Sequence, residues 1–487
     1  MFEFGTPPVE THPASNACSN QKAPAFRALG TAPSFAACAA ATIAWRNASS
    51  PEQRCSSICF ARKPRNVSQT NDCACRVDAE WMPTPDGGTD SARILWPCVS
   101  NGDCSHNGVC DAEASGKCTC DAAWSGHRCG TLQLEPVDPN ALGYRPTSNV
   151  TGENVSSWGA PVHWDETTAL WHGWASEMVA HCGINAWETN SQIVHIVSTS
   201  AFGPFARKEV IHPAFAHEPA VERGPHGEWV MAYSSFPLSA TSVPTRKASQ
   251  CLACANGTTP KQGTPGCPFQ RGTPKSLGHT FKQMLGVSTG PAGPWRDLGE
   301  VKGLTQGWDW NTAMTIDDDP KSATPGAALA MIRGGMTWYA SNYADNTTWR
   351  AIGAPEGAPE GPQFDFGCED PYVWRDRRNA SIYHAIVHAF TPFYGAHAWA
   401  YAPPGRNWSA HGAALEWRIS GAAYGNEVTF TDGSSRTFVR RERPHLIWSK
   451  DGLVPIALTN GVQYDGHANA PDGDGTFTLI QPLRTKE

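Results

Sequence analysis

One pattern limits what this chain can fold into more than any other. After residue 155 the same degenerate unit returns five times, opening APVHWDETTALWHGWASEM at Ala160, EPAVERGPHGEWVMAYSS at Glu218, NTAMTIDDDPKSATPGAALAMIRGG at Asn311, DPYVWRDRRNASIYHAIVHAF at Asp370 and RPHLIWSKDGLVPIALTNG at Arg443. Each unit is a short apolar run, a turn rich in Asp, Gly or Pro, then a second apolar run. A third run follows in four of them, at Gln192, Lys282, Met336 and Ala396. Several close on a small or polar turn with an aromatic: GPF at Gly203, GPW at Gly293, TTW at Thr347 and RNW at Arg406. Short apolar runs between such turns read as strands. No single unit can cover both faces of its own sheet, so the units must stack around an axis. The reading is an all-β fold, a five-bladed β-propeller over 157–487, with small disulfide-rich modules ahead of it.

Charge and cysteine content narrow the setting. The net charge of −7 carries no basic block, which argues against nucleic acid as a partner. No apolar run reaches the roughly 18 residues of a membrane-spanning helix. Seventeen Cys imply an oxidising compartment. Eight Asn-x-Ser/Thr acceptors agree with it: Asn47, Asn66, Asn149, Asn154, Asn256, Asn346, Asn379 and Asn407. The first residues, MFEFGTPPVETHPASN, show no basic stretch followed by an apolar one, so no signal peptide is visible. A secreted or extracellular chain with an incomplete or processed N-terminus reconciles the two.

The cysteines divide the first 156 residues. Residues 1–95 are rich in Ala, Ser and Cys (Cys18, Cys38, Cys55, Cys59, Cys73, Cys75), with a short helix expected over Ser34–Trp45. That combination resembles apple-like or PAN modules. Over 96–132, Cys98, Cys104, Cys110, Cys118, Cys120 and Cys129 end on Cys118-x-Cys120-x5-Gly126-x2-Cys129 with Trp124 inside. This closely resembles the epidermal-growth-factor-like module, a spacer or adhesion unit able to meet other extracellular proteins. The resemblance implies bridges Cys98–Cys110, Cys104–Cys118 and Cys120–Cys129; spacing alone leaves fifteen pairings open. A module so small needs bridges to hold it. Zinc is the rival for so many Cys, but paired Cys-x2-Cys knuckles are missing. Residues 133–156 are rich in Pro, Asn and Ser and read as a linker or wrapping segment. Within the second repeat, Phe236–His279 is an insertion holding Cys251, Cys254 and Cys267, read as a bridged surface loop. With Cys182 and Cys368 the propeller has five Cys, so at least one is free or pairs outside it.

In a propeller the first strand of each blade lines the channel and starts at one mouth. Residues at the five unit starts are therefore spatial neighbours: Gly159-Ala160, His217-Glu218, Trp310-Asn311, Glu369-Asp370 and Glu442-Arg443. Acids recur in that register, counting Asp309 ahead of Trp310. Capping of strand ends, or pairing with Arg375, Arg377, Arg441 and Arg443, is the plainer explanation for any one of them. CEDPYVWRD with YHAIVHAF, and HEPAVERGPHGEWVMAYSS followed by LGVSTGPAGPWRDLG, resemble the five-bladed propeller glycosidases: family 43 arabinanases and xylosidases with their invertase and levansucrase relatives. The resemblance covers the chain from about Ser157 onward. It implies an acid in each of three blades and inverting hydrolysis, and Ala160 stands where the first Asp is expected.

The expected chemistry is thus glycoside hydrolysis by a carboxylate pair in the channel. Glu218 is expected as proton donor and Asp370 as its ionised partner, with Asp309 and Glu442 as further acids. Trp310, Tyr372 and Trp374 are candidates for stacking on sugar rings, and Glu369, Arg443 and His388 for holding substrate. His217, His384, His388 and His445 read first as satisfied strand histidines. No cofactor is required, and a structural calcium ion in the channel is allowed. The alternative is an inactive propeller that binds glycans or proteins. No Gly-x-Ser-x-Gly elbow occurs, which disfavours a serine hydrolase.

Overall fold

A computed structural model describes 98–147, 155–179, 182–235, 282–302, 311–352, 368–389, 394–402, 415–464 and 475–485, together with five strands between residues 9 and 94. The expected helix over Ser34–Trp45, the insertion with Cys251, Cys254 and Cys267, and residues Asp309 and Trp310 lie outside these. So do the acceptors Asn47, Asn66, Asn149, Asn154, Asn256 and Asn407. The chain divides into two units. The first holds 1–132 with Ala396–Trp399 and Trp417–Ala423, and the second holds the remainder.

In the first unit, five strands form one antiparallel sheet, in the order Val9–His12, Thr89–Ile94, Cys55–Ala61, Asn71–Val77, Phe26–Ala32. Farther along, two short hairpins are held by Cys98–Cys110, Cys104–Cys118 and Cys120–Cys129. Cys104 and Cys129 are fully buried while few apolar side chains are, so the sulfurs stand where a core would be.

Each of the five repeats supplies one antiparallel sheet of the five-bladed propeller. The first runs from Ser157–Trp158 and Val162–Asp165, both paired to Leu170–Met178, to Ser191–Ser198 and Ala206–His212. The second is Ala216–Arg223, Trp229–Ser235, Lys282–Ser288 and Arg296–Glu300; the third is Ala313–Ile316, Ala328–Met331, Thr337–Ala340 and Arg350–Ile352. The fourth is Cys368–Arg375, Ile382–Ala389, Tyr394–Tyr401 and Arg418–Tyr424. The fifth has three strands, Arg440–Trp448, Pro455–Gln463 and Phe477–Pro482. Its outer edge is taken by the segment read as a linker or wrapping stretch. Tyr144 pairs with Thr478 and Leu134 with Leu483, and Glu135 N donates to Pro482 O at 2.8 Å. Residues 133–147 therefore wrap, because an open sheet edge leaves backbone donors and acceptors unpaired.

Sheet faces are buried against one another. Val230, Leu285, Met314, Ile316 and Trp338 share one cluster across the second and third sheets. Tyr144, Val162, Val194, Ile196, Ile447 and Ile480 share another across the first and fifth. Trp158, Trp174, Trp229 and Trp338 are fully buried core residues. Cys368 is the free cysteine among the described residues, buried, with its thiol pushed by that burial up to about 12.

Candidate functional site

Three innermost strands are bulged at their start in the same way. One extra residue is accommodated between His217 and Ala220, between Glu369 and Tyr372, and between Glu442 and His445. Pro219, Pro371 and Pro444 sit in these bulges, where no ladder donor is needed. The residue entering each bulge is left-handed: Glu218 (φ 56°), Asp370 (φ 49°) and Arg443 (φ 52°), matched by Asn311 (φ 38°) and Gly159 (φ 56°). Left-handed backbone costs a non-glycine residue of order 1–3 kcal/mol, so its repetition is imposed by the surroundings. In the first sheet the position belongs to Gly159 and not to Ala160. A Cβ on Gly159 would lie 2.9 Å from Arg443 Cγ, so the arginine fills the place of a first-blade side chain.

These residues close into a buried ring. Asn311 Nδ2 donates to both carboxylate oxygens of Glu218 and to Asp370 Oδ1, each at 2.9 Å. The nearest oxygens of the two acids are thus no more than twice 2.9 Å apart. The two acids do not face each other across an open channel, because Asn311 of the third sheet joins them. Arg443 Nη1 stands 3.6 Å from Glu218 Oε2 and 3.6 Å from Asp370 Oδ1, and Nη2 donates to Pro219 O at 3.2 Å. Arg443 Nη1 and Nε and Asn311 Oδ1 are buried and hydrogen-bond to no described residue.

The ring splits its acids. Burial would raise the Glu218 carboxyl, but Arg443, His217 and Asn311 together hold it down to about 2. Burial raises Asp370 well above the carboxylate range, with Glu218 and Glu369 adding to the rise against Arg443. These directions run opposite to the expected roles, with Asp370 pushed towards its protonated form and Glu218 towards its charged one, and His217 Nε2 lies 3.4 Å from Glu218 Oε1. Glu442 is likewise raised by burial, against the pull of His388 and Arg440.

Towards the mouth, His388 lies between Glu369 (Nδ1 to Oε1, 3.4 Å) and Glu442 (Nε2 to Oε1, 4.0 Å), and Arg333 Nη2 is 3.3 Å from Glu369. Glu369, Asp370, His388 and Glu442 bring ligand atoms within 4.8 Å of one another. Three carboxyl groups and one imidazole are a donor set suited to a divalent cation, while in the ring itself Arg443 already supplies the positive charge.

Tyr372 and Trp374 are elsewhere. Trp374 follows Asp370 by four strand residues, about 13 Å along, and both aromatics line a cavity of about 340 Å³ at the other end of the innermost strands. His384 stacks on Trp374 at 5.0 Å and pairs with Asp376 at 3.3 Å, away from the ring. His445 is held neutral by burial, aided by Arg443. The same strand-end register, Trp164-Asp165, Glu222-Arg223, Asp317-Asp318, Arg375-Asp376-Arg377 and Trp448-Ser449-Lys450, was open to a tally along the repeats. Counting only the strand starts missed it. Of the described glycan acceptors, Asn379 is exposed, whereas Asn346 Nδ2 donates to Leu298 O at 3.1 Å.

No family model matches the chain, and no curated protein matches it. Among solved structures it is similar to a glycosyl hydrolase from Bacteroides ovatus (TM-score 0.44, 9% identity, 74% of this chain and 96% of that one). It is also similar to a family 117 glycoside hydrolase produced by the marine bacterium Zobellia galactanivorans (TM-score 0.42, 8% identity, 75% and 91%). A third is the catalytic domain of a Coprinopsis cinerea GH62 alpha-L-arabinofuranosidase (TM-score 0.42, 13% identity, 72% and 97%). At such values the likeness carries no argument about chemistry, and the site rests on its own geometry.

Proposed function

We propose that this protein is a secreted glycoside hydrolase working at the ring end of the propeller channel. The observation that carries this reading is the buried carboxyl pair Glu218 and Asp370, joined through one amide nitrogen of Asn311, with Glu218 pushed towards its charged form and Asp370 towards its protonated one. Environments that push two acids apart assign one as acid and the other as base or nucleophile. In this reading Asp370 gives its proton to the leaving glycosidic oxygen while Glu218 attacks the anomeric carbon. Asp370 then takes a proton from the water that releases the sugar, which regenerates both groups. The unused donors of Arg443 are available to a substrate hydroxyl. Glu442 and Glu369, on either side of His388, are the further acids and contacts. A calcium ion, where bound, would draw on Glu369 and Glu442 beside His388 and serve structure, since Asp370 keeps its proton in this reading. The disulfide module of 98–129 acts as an epidermal-growth-factor-like spacer towards other extracellular proteins, and Asn379 carries a glycan.

Release of sugar from a panel of aryl glycosides and of plant and algal polysaccharides tests the reading. Glu218→Gln and Asp370→Asn should each lower turnover about a hundredfold or more. Unchanged turnover in both variants defeats the assignment. Binding without turnover by the unaltered protein supports the second reading, a glycan- or protein-binding propeller. That reading is favoured by Gly159, which leaves the first sheet without a carboxyl in the ring.

A further inference from the structure

We infer that the cavity at the end of the channel opposite the ring is a separate binding site for a neutral saccharide of one or two rings. Between ring and cavity the channel narrows to a void of about 10 Å³ among Val162, Val221, Met314 and Leu446. That is at the lower limit for a single water, so the cavity is not a continuation of the site described above. Its volume, about 340 Å³, lies in the lower part of the range for small-molecule sites, about 300–1,000 Å³.

The walls offer aromatic faces already fixed in place. Trp448 Nε1 donates to Tyr372 OH at 2.9 Å, and Tyr372 stacks on Trp374 at 5.3 Å. Across the cavity Trp164 packs on Trp171 at 5.4 Å and has Lys450 Nζ 3.9 Å above its ring. Trp164 and Trp448 remain half-buried and line the space. Ordered indole faces take the C–H face of a sugar ring without further ordering cost.

The polar lining is balanced, which decides the ligand's charge. Arg375 Nη1 is 3.0 Å from Asp317 Oδ2, Arg377 Nη1 is 3.1 Å from Asp318 Oδ2, and Arg223 Nη2 is 2.8 Å from Asp165 Oδ1. Each lining arginine is already matched, so an anionic ligand would have to displace a carboxylate. Burial pushes the Glu222 carboxyl up to about 8 against the pull of Arg377, with Asp318 adding to the rise. A neutral carboxyl both donates and accepts, as sugar hydroxyls do. With Glu222 uncharged, the lining carboxylates are Asp317, Asp318, Asp319 and Asp376. The lining cations are Arg223, Arg375, Arg377 and Lys450, equal in number. Paired charges present donors and acceptors side by side without a net field, which suits hydroxyl groups and no ion. The inference does not rest on the proposed hydrolysis.

Saturation-transfer NMR on the full chain tests it with glucose, galactose, xylose, arabinose, cellobiose and lactose, and with glucuronate and glucosamine as charged counterparts. At least one neutral sugar should bind saturably, and more tightly than its charged counterpart. Trp448→Ala should weaken binding about tenfold, with Trp448→Phe restoring part of it. Glu218→Gln should bind as the unaltered protein does, which separates this site from the ring. Trp164→Ala repeats the test should Trp448→Ala fail to fold. The inference is overturned by preference for glucuronate or glucosamine, by no saturation with any neutral sugar, by full binding in both tryptophan variants, or by loss of binding in Glu218→Gln.

Discussion

Glu218, Asn311, Asp370 and Arg443 all hold a backbone conformation that L-residues avoid, at one level of the channel. The strain, of order 1–3 kcal/mol apiece, persists because each side chain is locked by the others. Asn311 is the hinge of that arrangement, since a single amide serves two carboxyl groups. Asparagine also tolerates left-handed backbone better than most residues. Removing it in Asn311→Ala should cost about 1–3 kcal/mol, the penalty of leaving buried acceptors unpaired. The Glu218 carboxyl, which Asn311 helps to hold at about 2, should rise. Denaturant unfolding reads the first effect and carbon NMR of the labelled carboxyl reads the second; an unshifted Glu218 resonance would contradict the bridging role. The strand-start register marked Glu218, Asp370 and Arg443 in the sequence. Asn311 stands in the same register as a neutral residue, and in the first sheet Gly159 rather than its neighbour Ala160 holds that position. Which of two adjacent residues enters a bulge depends on pairing with the next strand, and a single strand's sequence does not carry it.

At the level of elements, the vulnerable point is the outer edge of the fifth sheet, where residues 133–147 return to pair. Gly143 is left-handed (φ 94°), and a Cβ there would lie 2.6 Å from Thr478 O. Gly433, in a surface hairpin, is also left-handed (φ 84°) but faces open space. Gly143→Ala and Gly433→Ala therefore share the conformational penalty, about 1–2 kcal/mol. Only Gly143→Ala adds a backbone clash, worth about another 1–3 kcal/mol. The melting temperature should fall by several degrees more for Gly143→Ala. Equal shifts would mean that closure through Tyr144 contributes little. Composition made 133–156 look like a tether, yet backbone pairing with the last strand made part of it sheet. Pairing over more than 300 residues of sequence leaves no local trace.

For the whole molecule, buried titratable groups set the response to pH. Burial holds His163 and His172 down at about 4, below their ordinary 6.5. The unfolded chain therefore binds protons that the folded chain does not between those values, and stability falls as pH drops below about 6.5. Glu222 is raised to about 8 from 4.5, and Asp370 is also raised. There the folded chain holds protons that the unfolded chain has lost, so stability declines as pH rises towards the folded values. Above 6.5 the histidine contribution is constant, and the carboxyl groups decide the slope, at most about 1.4 kcal/mol per pH unit for each group. Because Glu222 holds its extra proton from about 4.5 to 8, Glu222→Gln should make stability fall less steeply as pH rises across that window, most plainly between 6.5 and 8, where the histidines no longer contribute. Unfolding midpoints of both proteins across that range check it; an unaltered alkaline limb would remove Glu222 from the account.

The sequence by itself determined the number of blades, the strands within them and the grouping of acids at the strand starts. These follow from local periodicity, turn chemistry and repetition, all of which are written along the chain. Tertiary structure alone decided that Gly159 rather than Ala160 enters the ring, and that Arg443 crosses the space it leaves. It decided that the surroundings push Asp370 up and Glu218 down, because burial and the positions of Arg443, His217 and Asn311 set the balance. It also carried Tyr372 and Trp374 to a cavity about 13 Å from the acids that precede them in sequence. A strand rises steadily while its side chains alternate, so residues close in sequence serve opposite ends of one channel. Only the closed propeller shows which end each of them reaches.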